Sequence, residues 1–488
     1  MLHQLKSISK ETIIYGVGGA AGSIVSFLLL PLYTKFLTPE DYGYLAIFSV
    51  FQSIIEITAV FGLSSGLFRY YLMAKDEAEQ RMVMNTCFWT QTLFIIVLAA
   101  ITLPMVSQFS QVLFGSTKYS YLFTMVTATG LLSAFGSFIF SFMRAKRKPV
   151  FFAFAQIVKV TLLTLTNVYF VAVLHWNYSG IIIGNLTVLI VITVIVLGWF
   201  SRFIGFSFSA VILKKLFVFI SPIYVVNLFF LLLNLSDRFF LNHFLTPTEV
   251  GLYSYGNKIG SIVMIGVVTP FSTAIVPYAL SIAKEDHFKK TFSKIIKYFL
   301  LILIYLSMCI FYFSKEIVLA VSNASYVDAS GIVGPILLSS IFYGLYYNLS
   351  IAIDIVEKTY LATIVVVTGA VVSISLNYST IPFLGMYGSA LASCVSNGVL
   401  LLFMYYYCQK YFYIHYEVNA FLRVIGIIIF YSIFYFILPG IGIQDVMTIL
   451  IKVALCILFP FLLYVFRVFD EDERKYAKKY LHSRIPIF

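Results

Sequence analysis

Apolar residues in this chain come in blocks of twenty or more, divided by short polar stretches. A helix needs about 20 apolar residues to cross a hydrocarbon layer of about 30 Å. Fourteen such spans are predicted. The first seven lie at 11–36, 42–70, 82–108, 119–143, 150–174, 179–201 and 216–242. The second seven lie at 248–280, 290–314, 329–353, 359–379, 385–408, 419–438 and 446–466. The fold class expected is an all-α polytopic membrane protein.

Two of the polar stretches are alike. Phe36-Leu37-Thr38-Pro39-Glu40-Asp41-Tyr42-Gly43 returns 208 positions later as Phe244-Leu245-Thr246-Pro247-Thr248-Glu249-Val250-Gly251. Each reads as a tight hairpin between spans, with threonine as N-cap and proline at the first helical position. The acid that follows complements the positive end of the helix. Asn177-Tyr178-Ser179-Gly180 and Gly385-Met386-Tyr387-Gly388 stand at the same offset. Two pairs on one offset predict an internal duplication, and a duplicated membrane topology marks a two-lobed transporter. The domains expected are a six-helix lobe over 1–205, a second over 206–415, and two further helices with a tail over 416–488.

Composition sharpens this picture. Hydrophobic residues make up 61% of the chain and charged residues 11%, whereas soluble domains carry about 25% charged. No water-facing globule can be built from so few charges. With both termini cytoplasmic, 26 of the 33 lysines and arginines fall on inner segments, and only Lys35, Lys118 and Lys315 on outer ones. That asymmetry fixes the direction of the spans, and adding or removing one span would destroy it. The net charge of +12 therefore faces anionic membrane lipids and calls for no nucleic acid. The first span is of full membrane length without a small-residue cleavage site, which reads as a retained helix and not a signal peptide.

Other chemistries find no motif. The five cysteines are odd in number and form no CxxC pair, so neither a disulfide framework nor a zinc site is indicated. No HExxH and no GxxxxGK[ST] occurs, which leaves no metal, cofactor or ATP site in view. Any uphill work would draw on an ion gradient or on coupled metabolism. All loops are short, with no room for a water-exposed catalytic domain, so a membrane glycosyltransferase or polymerase is disfavoured and the chain is not read as an enzyme.

Charges inside spans are costly and default to functional candidates. Glu56 lies near the middle of span two, Lys159 nine residues into span five, and Lys258 about two turns into span eight. Asp237 and Arg238 are adjacent in span seven, where neighbouring helical positions point about 100° apart. They read equally as a structural ion pair and as a cavity element. Glu56 and Lys159 are too deep to reach headgroups, and a cavity-facing role is favoured over a structural pair. The duplication separates the two kinds of role: at the 208 offset Glu56 meets Met264 and Lys258 meets Val50, so these charges are specific to one lobe, as binding groups would be. Lys452 reads as a residue whose stem snorkels to headgroups. Arg69 and the run Arg144–Lys148 read as anchors first and phosphate collectors second. Gly16, Gly18, Gly19 and Gly22 allow close approach or bending of span one, and Pro31, Pro222 and Pro270 can kink their helices.

The ordered motifs resemble the Wzx-type polysaccharide flippases of the multidrug/oligosaccharidyl-lipid/polysaccharide exporter superfamily. The resemblance rests on Pro31-Leu32-Tyr33, Phe36-Leu37-Thr38-Pro39 with Tyr42-Gly43, Gly62-Leu63 with Arg69-Tyr70, Ser236-Asp237-Arg238-Phe239-Phe240-Leu241, Val250-Gly251-Leu252-Tyr253 and Tyr387-Gly388-Ser389-Ala390-Leu391-Ala392. It implies a flippase that moves a polyprenyl-diphosphate-linked oligosaccharide across the bacterial cytoplasmic membrane by alternating access, for surface polysaccharides such as O-antigen. On that reading Lys159, Lys258, Arg238 and Arg69 meet the anionic cargo, and Glu56 and Asp237 couple a proton or sodium ion. A cation-coupled drug or metabolite antiporter of the same superfamily is the alternative. Lipid II flippases are similar but place arginines in the first span, where this chain has no basic residue before Lys35.

Overall fold

The computed structural model describes residues 25–283, 287–437 and 445–469, together with positions 22, 285 and 473. Among these residues there is no strand, and 12 helices are long and apolar enough to cross a membrane. The all-α polytopic expectation is met. The other two expected spans fall on Val25–Phe36, a shorter apolar helix, and on Val418–Ile437, a helix of 20 residues. The beginning of span one with Gly16, Gly18 and Gly19, and the tail after 469 apart from Glu473, lie outside the described residues.

The two repeated stretches start helices as their residues demand. Thr38 accepts a hydrogen bond from the Asp41 backbone N–H at 3.2 Å, and the Asp41 carboxylate accepts from the Thr38 N–H at 3.0 Å. Proline follows the cap in the Pro39–Val60 helix. Thr246 and Glu249 repeat the arrangement, with the Glu249 carboxylate 3.1 Å from the Thr246 N–H. The acids thus do more than face the helix dipole: each closes a capping box, satisfying donors that a helix start leaves free. The second repeated pair is equally structural. Gly388 sits where a Cβ would lie 2.6 Å from the Thr380 carbonyl oxygen, and Gly180 where one would lie 3.1 Å from the Phe170 Cβ. Both glycines let a helix fold tightly onto its predecessor.

Span two is not one straight helix. Phe61 and Gly62 adopt left-handed backbone angles, φ 45° and 76°, and divide it into Pro39–Val60 and Leu63–Met73. At the equivalent place in the second repeat, Pro247–Gly260 gives way to a π-helical turn, Met264–Val268, before Thr269–Ile282 starts with Pro270. Helix breaks have local causes such as glycine, proline or a π-bulge, and here the repeats bend at the same level by different means. The break leaves the Ala59 carbonyl without its usual helical donor, and the buried Gln91 side chain supplies one at 2.6 Å. Gln91→Leu would orphan that buried oxygen and is expected to cost about 1–3 kcal/mol, read as a lowered midpoint in thermal unfolding of the purified protein.

The chain forms two compact units, Met1–Ile259 with Val318–Ile336 and Thr363–Leu400, and Gly260–Ile317 with Leu337–Ala362 and Leu401–Phe488. In the first, one apolar cluster surrounds Phe138, Phe142 and Phe200, and a second surrounds Phe48, Phe123 and Val126. In the second unit, Tyr312, Tyr431 and Phe459 anchor a cluster that joins the helix Phe288–Tyr312 to the two C-terminal helices.

Candidate functional site

The repeated hairpins of the first unit meet face to face. A Cβ on Gly43 would sit 1.8 Å from the Pro247 carbonyl oxygen, and one on Gly251 would sit 1.8 Å from the Pro39 carbonyl oxygen. Each copy's glycine therefore admits the other copy's proline carbonyl, a reciprocal contact about a local twofold relation. Around it the outer ends are tied by polar bonds and rings. Thr34 Oγ1 donates to the Val321 carbonyl at 3.0 Å, Asn323 donates to the Thr34 carbonyl at 2.9 Å, and Tyr326 donates to the Leu37 carbonyl at 3.0 Å. Tyr42, Tyr255 and Tyr326 pack together, with ring centroids 4.9–6.2 Å apart. These contacts draw together spans one, two and eight and the segment before span ten on the side predicted to be outer.

The candidate charges within the spans lie in the same unit. Asp237 is buried and Arg238 nearly so, and the two are paired: Arg238 Nη1 donates to both Asp237 oxygens at 2.9 and 3.1 Å. Adjacent positions do point apart on a helix, yet the long arginine stem turns back far enough to bring guanidinium and carboxylate together. Arg238 also donates to the Asn234 carbonyl at 2.8 Å, and Tyr253 donates to the other side of Asp237 at 2.6 Å. Tyr253 carries no charge and sits in a motif read only for resemblance, which is why the sequence did not mark it as a partner. Glu56 and Lys159 are both half-buried, and among the described residues no ion pair within 4.0 Å joins them. Lys258 is half-buried and has no ion partner among the described residues. Arg69 is exposed at the far end of span two, its guanidinium 4.5 Å from the Phe219 ring. The structure thus joins Asp237 to Arg238, and gives Glu56, Lys159, Lys258 and Arg69 no ion pair within 4.0 Å among the described residues.

Two lysines of the second unit differ from their sequence reading. Lys452 does not snorkel: it is buried, 2.6 Å from the Glu316 carboxylate. Lys297, counted among the inner anchors, is also buried and lies 2.8 Å from Glu417 and 3.0 Å from Glu473. It fastens the loop before the Val418–Ile437 helix and the start of the tail to the Phe288–Tyr312 helix. Removing a partner of such a pair is costlier than the pair is worth, so Lys297→Ala is expected to destabilise by about 3 kcal/mol, whereas Lys297→Ala with Glu417→Ala and Glu473→Ala should recover part of the loss. Thermal unfolding of the three proteins checks the order. The second unit also holds an apolar cavity of about 460 Å³ lined by residues including Leu300, Phe342, Leu402, Tyr405 and Ile425, which suits hydrocarbon and no charged group.

Among the described residues no group of three or more histidine, cysteine, aspartate or glutamate side chains is placed to hold a metal. The arrangement offers paired and unpaired charges inside helices that break at matched levels, and a close contact between the two repeated hairpins.

Comparison with known proteins gives a consistent result. The pattern of the family described as "Polysaccharide biosynthesis protein" matches residues 32–330. The Lsg locus putative protein 1 of Haemophilus influenzae is 25% identical over 292 residues, 57% of this chain and 67% of that protein. Among solved structures, the lipid II flippase MurJ in an inward closed conformation superposes with a TM-score of 0.72 at 16% identity, covering 93% of this chain and 98% of that one. An inward-facing multidrug resistance MATE family transporter of the MOP superfamily superposes with a TM-score of 0.65 at 15% identity, covering 82% and 94%. At these identities the structures establish a shared fold.

Proposed function

Since the chain belongs to the polysaccharide biosynthesis protein family, and shares the fold of a lipid II flippase and of a MATE family transporter, we propose that it flips a polyprenyl-diphosphate-linked oligosaccharide from the inner to the outer leaflet of the bacterial cytoplasmic membrane. The observation that carries this reading is the pair of lobe-specific lysines, Lys159 and Lys258, held within membrane spans of a duplicated scaffold, the second without an ion partner among the described residues.

A diphosphate with a glycan attached cannot cross hydrocarbon unaided, because burying ionised oxygens without counter-charge is prohibitive. A cation from each repeat, Lys159 and Lys258, would compensate the diphosphate while the prenyl tail stays in lipid. Lys159 and Lys258 are the clamp, and Arg69 collects the headgroup at the inner mouth. Arg238 already neutralises Asp237, so it meets cargo only if that pair opens. Glu56 is the better placed of the two acids for ion coupling, since Asp237 is already held by Arg238. The engagement of Asp237 by a basic partner argues against a carrier of cationic drugs.

Deletion of the gene in a strain that makes its surface polysaccharide is the test. Lipid-linked oligosaccharide should accumulate with its glycan facing the cytoplasm, and surface polysaccharide should disappear. A strain that keeps normal surface polysaccharide and no accumulated intermediate would exclude the proposal.

A further inference from the structure

The first unit has a second polar site, away from the in-span charges. A cavity of about 290 Å³ opens at the end predicted to be cytoplasmic, where the helices Glu77–Thr102 and Ser120–Ala145 meet the connector after Phe200. Three cations line it: Arg81, Lys146 and Arg202. None of them has an ion-pair partner within 4.0 Å among the described residues. Glu77 is the acid in the wall, so the lining is left with an excess of two positive charges. Lys146 is held in place by ring faces, its ammonium 4.7 Å from Phe203 and 6.0 Å from Phe142.

The wall is built and not a chance gathering of surface lysines. Asn85, 4% exposed, accepts from the Gly205 N–H at 2.9 Å and donates to Ser207 Oγ at 2.7 Å. Trp89 donates to the Gly205 carbonyl at 2.9 Å, and Thr86 accepts from the Ser209 N–H at 3.1 Å. One face of a membrane helix thereby holds Gly205, Ser207 and Ser209 of the connector, and the exposed Arg202 at its start lines the cavity with Arg81 and Lys146. Gly205 has no room for a side chain, since a Cβ would lie 2.9 Å from Asn85 Nδ2. A charge-lined cavity held at this cost in ordering is expected to bind something of opposite sign.

We propose that this cavity binds a phosphate-bearing anion at the cytoplasmic surface, with Arg81 and Arg202 as the forked donors and Lys146 as a point charge. Guanidinium groups match phosphate oxygens in pairs. The neutral lining groups Gln80 and Tyr71 suit the hydroxyls or ester oxygens beside a phosphate. The site is separate from the charges within the spans. Its phosphate comes either from an anionic phospholipid headgroup or from a soluble or cargo diphosphate.

The purified full-length protein is tested with phosphatidylglycerol, with neutral phosphatidylcholine and with inorganic diphosphate, by native mass spectrometry and by tryptophan fluorescence. Trp89, whose indole holds the Gly205 carbonyl, and Trp199, 5.0 Å from the Phe203 ring, are two of three tryptophans and report on this wall. The double variant R81Q/R202Q should weaken phosphate binding at least ~10-fold, while K214Q/K215Q, which removes the same charge from an exposed stretch, should leave it unchanged. E77Q should tighten binding, an effect that misfolding cannot imitate. Phosphatidylglycerol retention that diphosphate does not displace assigns the site to a lipid headgroup. Diphosphate binding alone assigns it to a soluble or cargo phosphate. The proposal is overturned if phosphatidylcholine is held equally well, or if R81Q/R202Q changes binding no more than K214Q/K215Q.

Discussion

Alanine at Gly43 or at Gly251 is expected to abolish transport while leaving the protein in the membrane. Either added methyl would stand 1.8 Å from a backbone carbonyl oxygen of the facing hairpin, a separation that no rotamer change relieves, because both atoms belong to main chain. The hairpins must move apart by more than 1 Å at a place where packing tolerates far less. On the proposed alternating access, the side of the hairpins then stays open, and a carrier that cannot close one side cannot alternate. Leu37, 2% exposed within that contact, provides the readout. In a Leu37→Cys background, a membrane-impermeant maleimide should label the glycine variants from outside and not the parent. The two glycine substitutions should not add, since either one opens the same contact. Glycine variants that export fully and whose introduced thiol stays unlabelled would show that the contact is dispensable.

The second large effect is expected at Asp237. Its carboxylate is the counter-charge of Arg238 and the acceptor of the Tyr253 hydroxyl, all within one buried cluster. Asp237→Ala strands a guanidinium in low dielectric, at a cost of about 3–5 kcal/mol. Tyr253→Phe removes one hydrogen bond and should cost about 1 kcal/mol. Asp237→Ala with Arg238→Leu replaces the pair with apolar groups and should restore much of the stability without restoring transport, if Arg238 meets cargo when the pair opens. Thermal unfolding and export measured on the same variants separate the two roles. Equal melting of wild type and Asp237→Ala would mean that the pair does not hold the helix in place.

What could be read from the sequence follows from where each signal is stored. The hairpins were legible because Thr38-Pro39 and Thr246-Pro247 carry their own turn chemistry, and the 208-residue offset ties them together. That their glycines touch was not legible: a repeat shows that two parts are built alike, never that they meet. The break at Phe61 hid in a continuous apolar window, since hydropathy averages over twenty residues and is blind to one left-handed position. Gly62 and the polar Gln91 inside span three were its only traces. The helical-wheel angle between Asp237 and Arg238 is set by Cα positions, but an arginine head can reach several ångströms back along its helix. Lys297 and Lys452 look like headgroup anchors because their carboxylates, Glu417, Glu473 and Glu316, are more than a hundred positions away in the chain. Long-range ion pairs of that kind leave no local pattern.

The most direct measurement is flipping by purified protein in sealed vesicles. A short-chain polyprenyl-diphosphate oligosaccharide is incorporated, and its glycan is probed with an impermeant glycosidase added outside. The wild type should expose to the enzyme the share of glycan that begins inside, and Lys159→Ala with Lys258→Ala should slow that exposure at least ~10-fold, about 1.4 kcal/mol in the barrier. Wild-type vesicles that keep half their glycan protected, or a double variant that flips at the wild-type rate, would contradict a lysine-clamped passage for the diphosphate.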